Sequence, residues 1–152
     1  MVVAYISAKP KNHPHHCMYK VREVSLLERC IETAKKSKLF DRIVVASGDS
    51  ELIHLTRLFR AEPWALKPIE ENGQVEKGLG RFFVENPEVK KVVILFPTHP
   101  LLRPSDIEGG LALIGPEGCD SSFGAYIWDW KPTWTDKFKP KFNLYKRPKP
   151  EN

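Results

Sequence analysis

An α/β domain with a mostly parallel sheet and helices on both of its faces is the fold class this chain predicts. Two observations carry that expectation. Short runs with apolar interiors, Val2–Ser7, Arg42–Ser47 and residues 91–96, are separated by stretches whose apolar residues recur at helical spacing. Strands with no polar alternation belong inside a sheet covered on both sides. Helix-capping residues also stand just upstream of the helical stretches, at Ser25, at Asp49 or Ser50, and at Ser105. The length, 152 residues, suits a single core.

Each element has its own justification. Val2–Ser7 reads as a buried strand. Residues 8–20 contain Pro10 and Pro14, several cationic side chains and no helical period, so they read as a loop. Ser25 opens the first helix, with Glu28 as the other half of a capping box. Leu26, Leu27, Cys30, Ile31 and Ala34 form its apolar face, and Lys35, Lys36 and Lys38 suit its C-terminal dipole. Arg42–Ser47 is the second strand. After Gly48, Asp49 or Ser50 caps a helix whose stripe is Leu52, Ile53, Thr56 and Phe59, ending near Ala61. Residues 63–68 read as irregular, with a short edge strand at 64–66. A third helix starts at Asn72 or Gly73 and runs through Val75, Leu79, Phe82 and Phe83, weakened by Gly78 and Gly80. Residues 91–96 are the strongest strand. Ser105 with Glu108 is expected to cap a last helix through Ile107, Leu111 and Ile114, and residues 119–125 to form a fourth long strand. Residues 1–130 thus read as one domain and residues 131–152, with prolines at 132, 140, 148 and 150, as a tail packed on it.

Charge separates the same two parts. The net charge is +5, and residues 131–152 hold seven Lys/Arg against Asp136 and Glu151, which is the whole excess. Trp134, Phe138, Phe142 and Tyr145 interleave with those cations, as do Trp128 and Trp130 just before them. Such a segment can stack on single-stranded nucleic acid, but packing across its own domain is the expectation here. No apolar run approaches the roughly 20 residues of a membrane span, and no signal-peptide pattern opens the chain, so a cytoplasmic protein is expected. Three widely spaced cysteines, Cys17, Cys30 and Cys119, are no disulfide framework.

In a parallel sheet, ligands bind where strands end at their carboxyl side. Three loops qualify: residues 8–19, 47–50 and 97–103. The first is strongly basic, with Lys9, Lys11, His13, His15, His16, Lys20 and Arg22, and suits an anion. The run from His13 to Cys17 is not expected to be a zinc site, because adjacent side chains cannot all turn to one tetrahedral centre. Asp49, Asp106 and Asp120 are the carboxylates near strand ends that could serve a metal.

Several segments, in order, resemble the sugar-acid cytidylyltransferases, the CMP-sialic acid synthetase or acylneuraminate cytidylyltransferase family. Ile6-Ser7-Ala8-Lys9 is similar to the family's I-P-A-R, Pro14-His15-His16-Cys17-Met18 to P-R-K-N-L, and Val24-Ser25-Leu26-Leu27 to the end of G-K-P-L-L. The run from Leu39 to Leu52 resembles L-F-D-R-V-V-V-S-T-D-D-E-E-I. Leu95-Phe96-Pro97-Thr98-His99-Pro100-Leu101, then Asp106-Ile107, resembles L-Q-P-T-S-P-L-R followed by D-I. Asp120-Ser121-Ser122 and Pro132-Thr133-Trp134 are similar to its D-S-V and H-P-x-W.

The resemblance implies a nucleotide-diphospho-sugar transferase, glycosyltransferase-A-like architecture and transfer of CMP from CTP to a sugar acid with Mg2+. It implies Lys9 and His16 as catalytic residues and Ala8, Lys9, Lys11, His13, His16 and Cys17 as the nucleotide site. Pro97, Thr98 and His99 would contact the substrate. The departures are specific. Residues 8–19 lack glycine, Lys9 replaces an arginine, His16 and Cys17 replace a lysine and an asparagine, and Phe96 replaces a glutamine. The family's later acidic metal pair and dimerising arm find no match before Asn152, so metal ligands are not identifiable and homodimerisation loses its usual element. The expectation is a cytidylyltransferase-like protein with degraded catalytic motifs, or a non-catalytic protein that keeps the fold.

Overall fold

A computed structural model of the protein describes residues 1–9, 16–71, 75–115 and 118–124. Four parallel strands form its main sheet among these residues: β1 (Val2–Ser7), β4 (Arg42–Ser47), β5 (Glu62–Ala65) and β6 (Lys91–Leu95), in the order β5-β4-β1-β6. Tyr5 pairs with Val44 on one side and Ile94 on the other, so the three long strands lie side by side. A two-stranded hairpin, β2 (Lys20–Val21) with β3 (Val24–Ser25), stands apart. The helices are α1 (Leu26–Ser37), α2 (Ser50–Leu58), α3 (Pro68–Glu71), α4 (Val75–Glu85) and α5 (Pro104–Ala112).

The central strands have apolar side chains on both faces, and each face has its own core. Ala4, Ile6, Ala8 and Val45 point to one side, where Leu27, Cys30, Ile31 and Ala34 of α1, Leu52 of α2 and Ile107 of α5 cover them. Val3, Tyr5, Val44 and Ala46 point to the other, against Leu66, Leu79, Phe82 and Val89. Phe82 meets Tyr5 and Trp64 edge-on at 5.5 and 5.1 Å. Ser25 Oγ accepts from Glu28 N at 3.1 Å, and Asp49 Oδ1 accepts from the backbone N–H groups of Glu51 and Leu52. Ser25 is the cap the sequence predicts, and Asp49 is the one of its two candidates, Asp49 and Ser50, that caps α2.

Five expectations need correction. The loop before α1 contains the β2–β3 hairpin. Its turn residues Arg22 and Glu23 both have positive φ, at 51° and 63°, without the glycine or asparagine that normally announces such a turn. Residues 68–71, within and beyond the stretch read as irregular, form α3, and α4 is described from Val75. The helix expected to be capped by Ser105 starts two residues earlier. Arg103 is its N-cap, Pro104 its first residue, and Asp106 Oδ2 accepts from Arg103 N at 2.8 Å. Residues 120–124 are not strand; Cys119 makes a single parallel bridge to Ile114. For that reason β6, expected to be buried on both faces, lies at the sheet edge among the described residues, with Ile94 40% exposed. Residues 125–152, which include the basic tail, lie outside the described residues. No helix among those described is long and apolar enough to cross a membrane.

The α4 face is packed closely enough to be tested. A Cβ added at Gly78 would lie 2.8 Å from Tyr5 Oη and 2.9 Å from Leu66 Cδ2, whereas one added at Gly80 meets nothing within 4 Å. Overpacking costs about 1–3 kcal/mol and alanine gains up to about 1 kcal/mol over glycine in a helix. Gly78→Ala is therefore expected to destabilise by about 1 kcal/mol net and Gly80→Ala to stabilise slightly. Urea denaturation of the pair checks this.

Candidate nucleotide-binding mouth at the strand ends

The carboxyl ends of the parallel strands meet at one mouth. Ala8 N donates to Ala46 O at 2.9 Å and Leu66 N to Ser47 O at 3.0 Å, so β1, β4 and β5 leave the sheet at the same level. Lys9 follows β1, Gly48 and Asp49 follow β4, and Lys67 to Glu71 follow β5. Phe96 and Pro97 leave β6.

Lys9 and α3 form one wall. Lys9 Nζ donates to Glu70 O at 2.6 Å. The two adjacent glutamates of α3 have opposite environments. Glu70 is buried, and its carboxylate takes Arg81 Nε at 2.7 Å, Arg81 Nη2 at 2.9 Å and Lys67 N at 2.7 Å. The Arg81 hydrogen bonds, opposed by burial, hold its carboxyl down at about 2. Glu71 turns to the mouth. Its Oε2 accepts from Gly48 N at 2.6 Å, while its Oε1 is buried with no hydrogen-bond partner. Burial raises its carboxyl above the ordinary value, and the Gly48 N–H and Lys9 only partly oppose this. Gly48 permits the contact, because a Cβ there would fall 2.6 Å from Glu71 Oε2.

The residues expected at the site are distributed unevenly. Ala8 and Cys17 are in the core, fully or almost fully buried. Burial first, then the charge of Asp49, pushes the Cys17 thiol up to about 11, so it is no thiolate at neutral pH. His16 is half-buried at the head of a short 3-10 turn, His16–Met18. Lys11 and His13 lie outside the described residues. Of the β6 loop, Pro97 is buried while Thr98 and His99 are exposed, and the His99 ring stands edge-on to Phe96 at 5.6 Å. Gly48 lies in the 47–50 loop that the sequence points to, but Glu70 and Glu71 escaped the sequence reading. Their only signal was a pair of acids shortly after an edge strand, and their roles depend on Arg81 and on a turn more than twenty residues away.

The donor set does not fit a protein-held magnesium ion. Among the described residues no three His, Cys, Asp or Glu side chains gather. Asp49 Oδ1 caps α2, Asp106 Oδ2 caps α5, and Asp120 lies near Lys90, Val92 and Ile114 at the outer edge of β6. The three candidate carboxylates therefore serve different places. What the mouth offers a ligand is a cation at Lys9, exposed polar groups at Thr98 and His99, and a carboxyl at Glu71.

No protein-family model and no curated protein matches the chain. Solved structures do match in fold. A CMP:2-keto-3-deoxy-manno-octonic acid synthetase complexed with CTP superposes over 73% of this chain and 46% of its own, with TM-score 0.62 and 16% identity. A Methanothermobacter nucleotidyl transferase gives 0.58 at 12% identity, covering 74% of this chain and 57% of that one. The 4-diphosphocytidyl-2C-methyl-D-erythritol synthase of Anaerococcus prevotii gives 0.59 at 13% identity, covering 93% and 63%. The chain spans less than two thirds of the length of each. The main sheet and its flanking helices are thus arranged as in these structures.

Proposed function

We propose that the chain is a cytidylyltransferase-like nucleotide-binding protein whose catalytic equipment is degraded. Support comes first from the convergence of Lys9, the Gly48 turn and the Thr98–His99 loop at the carboxyl ends of parallel strands, in a fold shared with a synthetase complexed with CTP. In this reading the triphosphate lies toward the basic loop of residues 8–17 and Thr98 and His99 face the acceptor. Any magnesium would arrive with the phosphates, since that ion typically keeps water and phosphate ligands. A sialic or related sugar acid is the second substrate that the family resemblance favours. The non-catalytic alternative draws on a specific observation: Lys9 Nζ is held on Glu70 O at 2.6 Å, and Cys17 is buried in the core.

Equilibrium titration with CTP tests the reading. Lys9→Ala combined with Lys11→Ala is expected to weaken binding about tenfold or more at low salt and clearly less at high salt, because exposed charges are screened. Unchanged affinity at low ionic strength removes these loops from the site.

A further inference from the structure

We infer that Glu71 is an autoinhibitory plug: its carboxylate, carried at the end of α3, occupies an anion seat in the mouth and must leave before a polyphosphate can bind. The inference rests on the nucleotide-binding reading above and concerns the regulation of that site.

Two donors at the mouth are already engaged by α3. Glu71 Oε2 accepts from Gly48 N at 2.6 Å, and Lys9 Nζ donates to Glu70 O at 2.6 Å. Lys9 also lies close enough to Glu71 to favour its charged form. A backbone N–H with an ammonium nearby is a pairing that a phosphate oxygen takes readily. Here a carboxylate and a carbonyl of the protein take it instead. Gly48 is fitted to that contact. The three atoms nearest to a Cβ built there all belong to the Glu71 side chain, at 2.6, 2.9 and 3.1 Å. Its φ is not positive, so the contact, rather than the turn, is what calls for glycine.

The seat is poorly satisfied. Glu71 Oε1 is buried without a hydrogen-bond donor. Burial works against the charged form and the Asp49 carboxylate adds to it, opposed by the Gly48 N–H and Lys9. Once turned out to water, both oxygens would be solvated. Movement is local, because α3 is four residues long and Glu71 is its last. Glu70, paired with Arg81, can hold the rest of the helix while the Glu71 side chain swings away.

Titration of the full chain with inorganic tripolyphosphate and with CTP, at one salt concentration, tests this. A seat closed in about nine molecules of ten weakens apparent affinity about tenfold, so Glu71→Ala is expected to bind both ligands about tenfold more tightly than wild type. Glu71→Gln loses the charge but keeps an acceptor for Gly48 N, and should gain less. Gly48→Ala leaves every charge in the protein and displaces only the carboxylate, and should tighten both by about threefold or more. Circular dichroism checks that each variant is folded. A gain in the Glu71 variants with none in Gly48→Ala would mean that the carboxylate only repels anions from a distance, which overturns the plug. Affinity that is unchanged or weaker in Glu71→Ala overturns it as well, and leaves nucleotide binding standing. Binding that is absent in wild type and present in Glu71→Ala supports it. If neither wild type nor any variant binds either ligand, the nucleotide-binding reading falls and this inference with it.

Discussion

Replacing Arg81 with leucine is expected to destabilise the protein by about 3 kcal/mol, the low end for removing one partner of a buried ion pair. The side chains of Arg81 and Glu70 are 21% and 7% exposed, and two guanidinium nitrogens reach the two carboxylate oxygens at 2.7 and 2.9 Å. Arg81 also donates to Ala65 O at 2.7 Å and lies over the Trp64 ring at 4.6 Å. Leucine fills much of the volume but leaves the Glu70 carboxylate buried and unpaired. The pH dependence gives a second signature. The folded protein holds the Glu70 carboxyl at about 2, below its ordinary value of 4.5. This group's contribution is therefore complete above the ordinary value and is lost as pH falls from there through about 2. In Arg81→Leu the sign reverses, because protonation now relieves an uncompensated charge. Denaturation at pH 7 and pH 3 should show a gap between variant and wild type that narrows on acidification. A gap of equal size at both values would mean that Arg81 acts through packing alone.

The same residues explain what could and could not be read in the sequence. β1 and β4 were legible because Val2–Ser7 and Arg42–Ser47 carry apolar side chains to two cores, and Ser25 and Asp49 because an N-cap needs only a local oxygen and nearby N–H groups. Features decided by distant partners were not. Glu70 and Glu71 are identical and adjacent, yet one pairs with Arg81 on α4 and the other seats on Gly48. The β2–β3 turn was hidden because Arg22 and Glu23 adopt positive φ without the usual turn residues. The strand expected at residues 119–125 had a suitable composition, but only Cys119 finds a backbone partner among the described residues. In the last helix, Ser105 looks like the cap from its pairing with Glu108, although Pro104 just before it is itself a start signal at a first helical position.

Incubation with CTP, magnesium and a panel of sugar acids is expected to release pyrophosphate at background rate. Transfer of a nucleotidyl group depends on donors and cations already aimed at the phosphates, and loss of one such donor costs about 10²–10³ in rate. Several positions that the family resemblance would make donors are altered here. Lys9 keeps a charge but not the arginine fork, and its ammonium is turned to Glu70 O. Cys17 is inside the core. Phe96, in place of a glutamine, presents a ring to His99 and has no group to bond a hydroxyl. These losses fall within one site, so their factors do not multiply and the total is smaller than their product. Even one factor of that size separates a working transferase from background in a coupled pyrophosphate assay. Binding and turnover are thereby expected to part: CTP bound by the folded chain, without release. Robust release that vanishes in Lys9→Ala would instead identify Lys9 as a working catalytic cation, free to leave the Glu70 carbonyl when nucleotide arrives, and would overturn the degraded reading of the site.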